Sequence, residues 1–99
     1  MCVDCHTPML SDGRPDTFKM MKGAPLAFAP SQPVPNWSKW APDLTMTGPL
    51  WKTWGETGVS KFLQSGLDPA GHAPDPPMPA YRLKPEDAAA IVAYLRTLK

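Results

Sequence analysis

Two thiols and an imidazole stand in one short run, Met1-Cys2-Val3-Asp4-Cys5-His6. On a helical turn, residues three apart face the same way. Both thiols can therefore reach the two vinyl groups on one edge of a single porphyrin, and the next residue brings its imidazole under the iron. Cys-x-x-Cys-His is accordingly the signature of covalent haem c attachment, with Cys2 and Cys5 forming the thioethers and His6 the proximal bond. The same thiols also suit two other chemistries. A redox disulfide normally opens a helix after a strand in a βαβ setting, and no strand signal precedes Cys2. A zinc site needs four ligands, whereas His72 is the only other histidine and no further cysteine follows. Haem is the favoured reading, with a dithiol or zinc module as the alternative.

A sixth iron ligand has six methionines to come from. Thioether sulfur is a soft partner that raises the potential of a haem used for electron transfer. Met78 stands in Pro76-Pro77-Met78-Pro79, where the flanking rings restrict the backbone and hold the sulfur in place. Enough chain separates it from His6 to pass round a porphyrin and return on the other face. Met9, Met20, Met21 and Met46 are expected to fill gaps near the haem edge, as methionine commonly does in cores. Met1 is too near the proximal side. His72, the one rival donor, lies between Gly71 and Ala73 in a loop and is expected to face solvent.

The elements that must position these groups are few. Helical turns carry the motif from Met1 to about Met9, Ser11 to Asp16 is a turn cluster, and Lys19 to Leu26 holds one short helical turn. From Ala24 to Pro49 prolines recur too often for helix or ladder. Phe28, Trp37, Trp40 and Leu44 in that wrapped loop are expected to line an apolar pocket. Short helices are predicted over Pro49–Trp54 and Thr57–Ser65, the second stopped by Gly66. Leu67 to Pro79 is again extended. The last segment is the clearest: Pro85 suits a first helical position, and Glu86 and Asp87 complement the dipole. Ala88, Ile91, Val92, Leu95 and Leu98 then follow helical spacing.

Three stretches together resemble a class I c-type cytochrome, and the resemblance runs over nearly the whole chain. They are Cys2-Val3-Asp4-Cys5-His6-Thr7-Pro8, Pro77-Met78-Pro79-Ala80-Tyr81, and Glu86-Asp87-Ala88-Ala89-Ala90-Ile91-Val92-Ala93-Tyr94-Leu95-Arg96. The chain is most similar to bacterial monohaem domains found as small carriers and as cytochrome subunits of membrane-associated dehydrogenases. The resemblance implies a mostly α fold, a few short helices and long Pro-rich loops wrapped around one haem, with residues 1–99 as a single domain. It also implies thioethers at Cys2 and Cys5, and His6 and Met78 as axial ligands. Gly23-Ala24-Pro25-Leu26 is similar to the family's Gly-Pro-x-Leu stretch with one residue inserted. If the two correspond, the Pro25 carbonyl accepts the hydrogen bond from the far nitrogen of His6, and Leu26 lies against the cofactor. Ala41-Pro42-Asp43-Leu44-Thr45 is similar to a Pro-Asn-Leu-Thr run near the propionates, with Asp43 in place of the usual Asn. Trp40 or Trp54 is expected to donate an indole N–H to a propionate.

The family normally carries a longer helix before its attachment motif, crossing the last helix. Only Met1 precedes Cys2, so the chain is expected to be part of a longer protein. Otherwise a second chain or a swapped element would cover Ile91, Tyr94, Leu95 and Leu98. Haem c attachment outside the cytoplasm points to a periplasmic location.

The composition agrees. The chain of 99 residues is 42% hydrophobic and 19% charged, too apolar for a disordered tail, and no run is long enough to span a membrane. A formal charge of +1 without like-charge blocks gives no sign of a nucleic-acid ligand and gives redox partners no electrostatic sign to read. Fourteen prolines and seven glycines leave little regular structure to carry a core, so a chain this small needs a large ligand at its centre. With His and Met both on iron, no position is open for substrate. The expected function is electron transfer by a low-spin haem rather than catalysis. A ligand-binding sensor or peroxidase-type enzyme is the alternative if Met78 does not hold the iron.

Overall fold

The last helix shows how the sequence sets its own elements. Pro85, which has no amide proton to leave unsatisfied, opens α3 (Pro85–Arg96), with Glu86 and Asp87 in the first turn and Arg96 in the last. Ala88, Val92 and Leu95 fall on one face and are buried. The computed structural model describes residues 2–26 and 28–98. Its remaining helices are α1 (Cys2–His6) and α2 (Pro49–Ser65), and a single 3-10 turn spans Thr17–Lys19.

α2 also opens on a proline, at Pro49, and ends at Gly66, whose N–H donates to the Phe62 carbonyl at 2.8 Å. The two helices predicted on either side of residue 55 run together, but Gly55 between them has φ 70 and ψ 173. That backbone is open to glycine and strained for other residues, so the rod is kinked there. The second half of α2 packs on α3. Val59 and Leu63 join Met21, Trp51, Ala88, Val92 and Leu95 in one core.

The loop from Ala24 to Pro49 has the minimum of ladder. Strands β1 (Ala24–Pro25) and β2 (Trp40–Ala41) pair antiparallel, Ala24 opposite Ala41 and Pro25 opposite Trp40. This small clip closes the first proline-rich loop on itself and lays its returning limb beside the motif.

Several expectations change. The motif helix ends at His6 instead of running toward Met9, because Thr7 is drawn into a buried bond with the Met21 amide (2.9 Å). The helical turn expected over Lys19–Leu26 lies earlier, and Met21 itself adopts φ 60, which no helix continues. Met21 is buried, but Met9 and Met46 are 48% and 44% exposed and fill no gap. The face expected to need a cover is largely sealed by the chain itself. Leu95 is 3% exposed, and Ile91 and Leu98 pack against the core. Tyr94, at 47%, is the member that remains open.

Candidate functional site

α1 is too short to be stable alone, and the chain around it supplies what it lacks. The Gly23 N–H donates to the His6 carbonyl at 2.7 Å, and the Thr7 N–H donates to Val3 at 3.2 Å. Within this frame Cys2 and Cys5 are half-buried free thiols. His6 is buried, and its Nδ1–H donates to the Pro42 carbonyl at 2.9 Å. A carbonyl only accepts, so the ring proton is fixed on Nδ1 and the Nε2 lone pair is left available. Burial pushes the His6 pKa down, partly offset by the bond to Pro42. The net direction favours the neutral ring that a metal ligand must be.

The acceptor is Pro42, not Pro25. Pro25 is exposed and sits in β1 opposite Trp40. The clip instead brings the limb just after β2 against the motif. There Gly23, at φ +89, approaches so closely that a Cβ would lie 2.7 Å from the Ala41 oxygen and 2.9 Å from the Pro42 carbonyl carbon. The family-like stretch at Gly23 therefore acts through its glycine, as the contact that lets Pro42 reach the ring. Residues 41–45, read for their resemblance to a propionate-side run, contained the acceptor. The sequence signal was a Gly on one side and a Pro carbonyl on the other, but their pairing needs the strand register.

Asp43 is occupied locally. Its Oδ1 accepts from the Thr45 N–H at 2.8 Å and from the Thr45 hydroxyl at 2.7 Å, and Thr45 is fully buried.

A cleft of about 920 Å³ opens beside His6. That is at the upper end of the range of about 300–1,000 Å³ for small-molecule and cofactor pockets. Cys2, Cys5 and His6 line it from the motif side, and Met78 lines it with Pro77 and Pro79 from the late loop. Leu26, Trp40 and Trp54 line it too, whereas Phe28 and Trp37, expected there, do not and instead pack edge-on against each other, ring centroids 6.0 Å apart. Trp54 also leans on Phe62 at 5.1 Å. Leu44, Val59, Phe62 and Leu63 continue the apolar wall. Burial and the neighbouring Cys2 and Cys5 push the Tyr81 hydroxyl pKa up, so the segment after Met78 returns toward the cysteine edge.

The Met78 segment is held from two sides. Its own N–H donates to Asp75 at 3.2 Å, and the Ser38 N–H donates to Pro76 at 2.7 Å across the cleft mouth. Sequence reasoning had no signal for this second bond. Of the indole N–H groups, that of Trp51 donates to the Leu44 carbonyl. That of Trp37 is buried without an acceptor among the described residues, although its neighbour Ser38 lines the cleft. Among the described residues no group of three or more His, Cys, Asp or Glu side chains stands together as a metal site. A largely apolar cleft, a neutral imidazole, a soft sulfur and paired thiols on one side together fit haem c.

The family model described as Cytochrome c matches residues 1–99. No curated protein and no solved structure matches the chain. No helix among the described residues is long and apolar enough to cross a membrane.

Proposed function

Because this chain belongs to the cytochrome c family, whose members carry electrons on covalently bound haem, we propose that it transfers electrons through one haem c held by His6 and Met78. In this reading residues 1–99 are one domain closed around that group, with Cys2 and Cys5 as its thioether anchors. The observation that carries it is the cleft itself, lined on the motif side by both thiols and by an imidazole with Nε2 free, and from the late loop by Met78.

Haem supplies one-electron cycling between Fe(III) and Fe(II). The residues set the conditions for it. His6, oriented by Pro42, keeps its ring fixed and gains basicity from donating its other proton. Met78 offers a thioether that favours the ferrous state, and the apolar wall, by excluding water, acts in the same direction. With His6 and Met78 both holding the iron, no position on it would be open for substrate, as suits a carrier rather than an enzyme.

The partners are redox proteins, met through brief contacts of small area. A formal charge of +1 leaves them without strong electrostatic steering. We place the protein in the periplasm, or on the periplasmic face of a membrane as the haem domain of a respiratory or dehydrogenase assembly, on the requirement for haem c attachment outside the cytoplasm.

The test is the visible spectrum of the matured protein, oxidised and then reduced. The expected result is a low-spin c-type spectrum whose weak red band, from ferric iron bonded to thioether sulfur, is lost in Met78→Ala. A high-spin wild-type spectrum would overturn the Met78 assignment and turn the reading to a ligand-binding or peroxidase-type haem.

A further inference from the structure

Thr7, the residue after the axial imidazole, is 1% exposed, and its hydroxyl is used in both directions. The oxygen accepts the Met21 N–H at 2.9 Å, and the O–H donates to the Met20 sulfur at 3.5 Å. Met21 is held from its other end as well, its carbonyl accepting the Leu44 N–H at 2.8 Å. Between these two bonds its backbone stands at φ 60, a left-handed conformation that is strained for a residue with a side chain. Gly23, two residues on, donates to the His6 carbonyl at 2.7 Å and lies close against the backbone of Ala41 and Pro42. Residues 21–23 are thus a spacer, gripped on one side by His6 and Thr7 and on the other by residues 41–44, the segment that carries Pro42. A strained spacer keeps its place only while both grips hold.

We propose that Thr7 is a positioning residue for the axial imidazole. By holding Met21 it sets how closely Pro42 meets the His6 Nδ1–H, and so how strongly His6 donates to the haem iron. The proposal rests on the reading above in which His6 is an axial ligand. A tighter bond to Pro42 gives the ring more electron density, which favours ferric iron, and a looser one favours ferrous. The hydroxyl of Thr7 carries the effect and not its methyl, because only the hydroxyl bonds the Met21 amide.

The experiment compares matured wild type, Thr7→Val and Thr7→Ser by redox titration and by the proton resonance of the His6 Nδ1–H in the reduced protein. Valine matches threonine in shape but leaves the buried Met21 N–H without its acceptor, whereas serine keeps the oxygen. In Thr7→Val the ferrous-to-ferric ratio at a fixed solution potential should rise by up to about tenfold, a midpoint about 59 mV higher for one electron. Its Nδ1–H should exchange faster with solvent, and Thr7→Ser should stay close to wild type in both readouts. A midpoint unchanged or lowered in Thr7→Val overturns the proposal, as does a Thr7→Ser midpoint shifted as far as that of Thr7→Val. Because Thr7→Val can fail to mature, a second measurement uses wild type alone: hydrogen exchange of the reduced protein in increasing guanidinium. The His6 Nδ1–H and the Met21 and Leu44 amides should be released together as one opening unit; release of the Nδ1–H ahead of both amides overturns the proposal. If wild type lacks a low-spin c-type spectrum, the underlying reading has failed. If that spectrum is present and the Thr7 comparisons are negative, only the positioning role has failed.

Discussion

The His6 imidazole and the Pro42 carbonyl, 36 residues apart in the chain, meet at 2.9 Å, and the bare backbone of Gly23 is what lets the two segments close on each other. A methyl group there would meet the backbone of Ala41, Pro42 and Asp43, none of which can turn aside as a side-chain end can.

Gly23→Ala should therefore destabilise the protein by about 2–5 kcal/mol, combining left-handed backbone strain of about 1–2 kcal/mol with overpacking of about 1–3 kcal/mol. Gly55→Ala separates the two effects. Gly55 also has a positive φ, but nothing lies within 4 Å of its added carbon. It should cost only the backbone strain, about 1–3 kcal/mol. Guanidinium unfolding of both variants checks the difference, and equal losses would contradict the close approach.

Asp43 predicts a contrast between isosteres. Asp43→Asn keeps an Oδ1 that accepts both Thr45 bonds, and stability should change by less than about 1 kcal/mol. Asp43→Ala leaves the fully buried Thr45 with its N–H and hydroxyl deprived of that acceptor, at a cost of about 2–4 kcal/mol. Chemical denaturation of the pair reads this directly.

Leu95 and Leu98 lie on the same helical end but differ in how far the chain seals them. Leu95→Ala should cost about 2–5 kcal/mol as a core truncation. Leu98→Ala, at a half-buried position, should cost less than half as much. Equal costs measured by thermal unfolding would mean that the two positions are equally enclosed.

The Arg96–Glu56 ion pair, 3.1 Å long, joins α3 to α2 with both side chains more than half exposed. Glu56→Gln should change stability by no more than about 1 kcal/mol. The difference from wild type should vanish in 1 M salt, where the screening length falls to about 3 Å.

These contrasts follow the division between what was legible in the sequence and what was not. The thiol pair with His6 was readable because its chemistry is local: spacing on one turn suffices. α3 was readable because Pro85, the two acids and the apolar spacing agree. Gly66 stops α2 as read, and the two helices read on either side of residue 55 are joined across a kink at Gly55. The partner of His6 was not readable, because a carbonyl is the same on every residue, and only the register of β1 against β2 selects Pro42 over Pro25. Leu95 was expected at an open face because helical spacing tells which residues share a side, not what stands opposite. The core on α2 that covers it is set by a crossing no local pattern records.

The bond from Ser38 to Pro76 bears on how the rim of the cleft is closed. It closes a loop about as long as the one between His6 and Pro42. Such closure carries an entropic cost on the order of 3 kcal/mol, while one backbone hydrogen bond returns about 1 kcal/mol net. That bond therefore cannot close the rim by itself, and apolar contact beneath it must supply the balance, to which a haem held between the two loops would add.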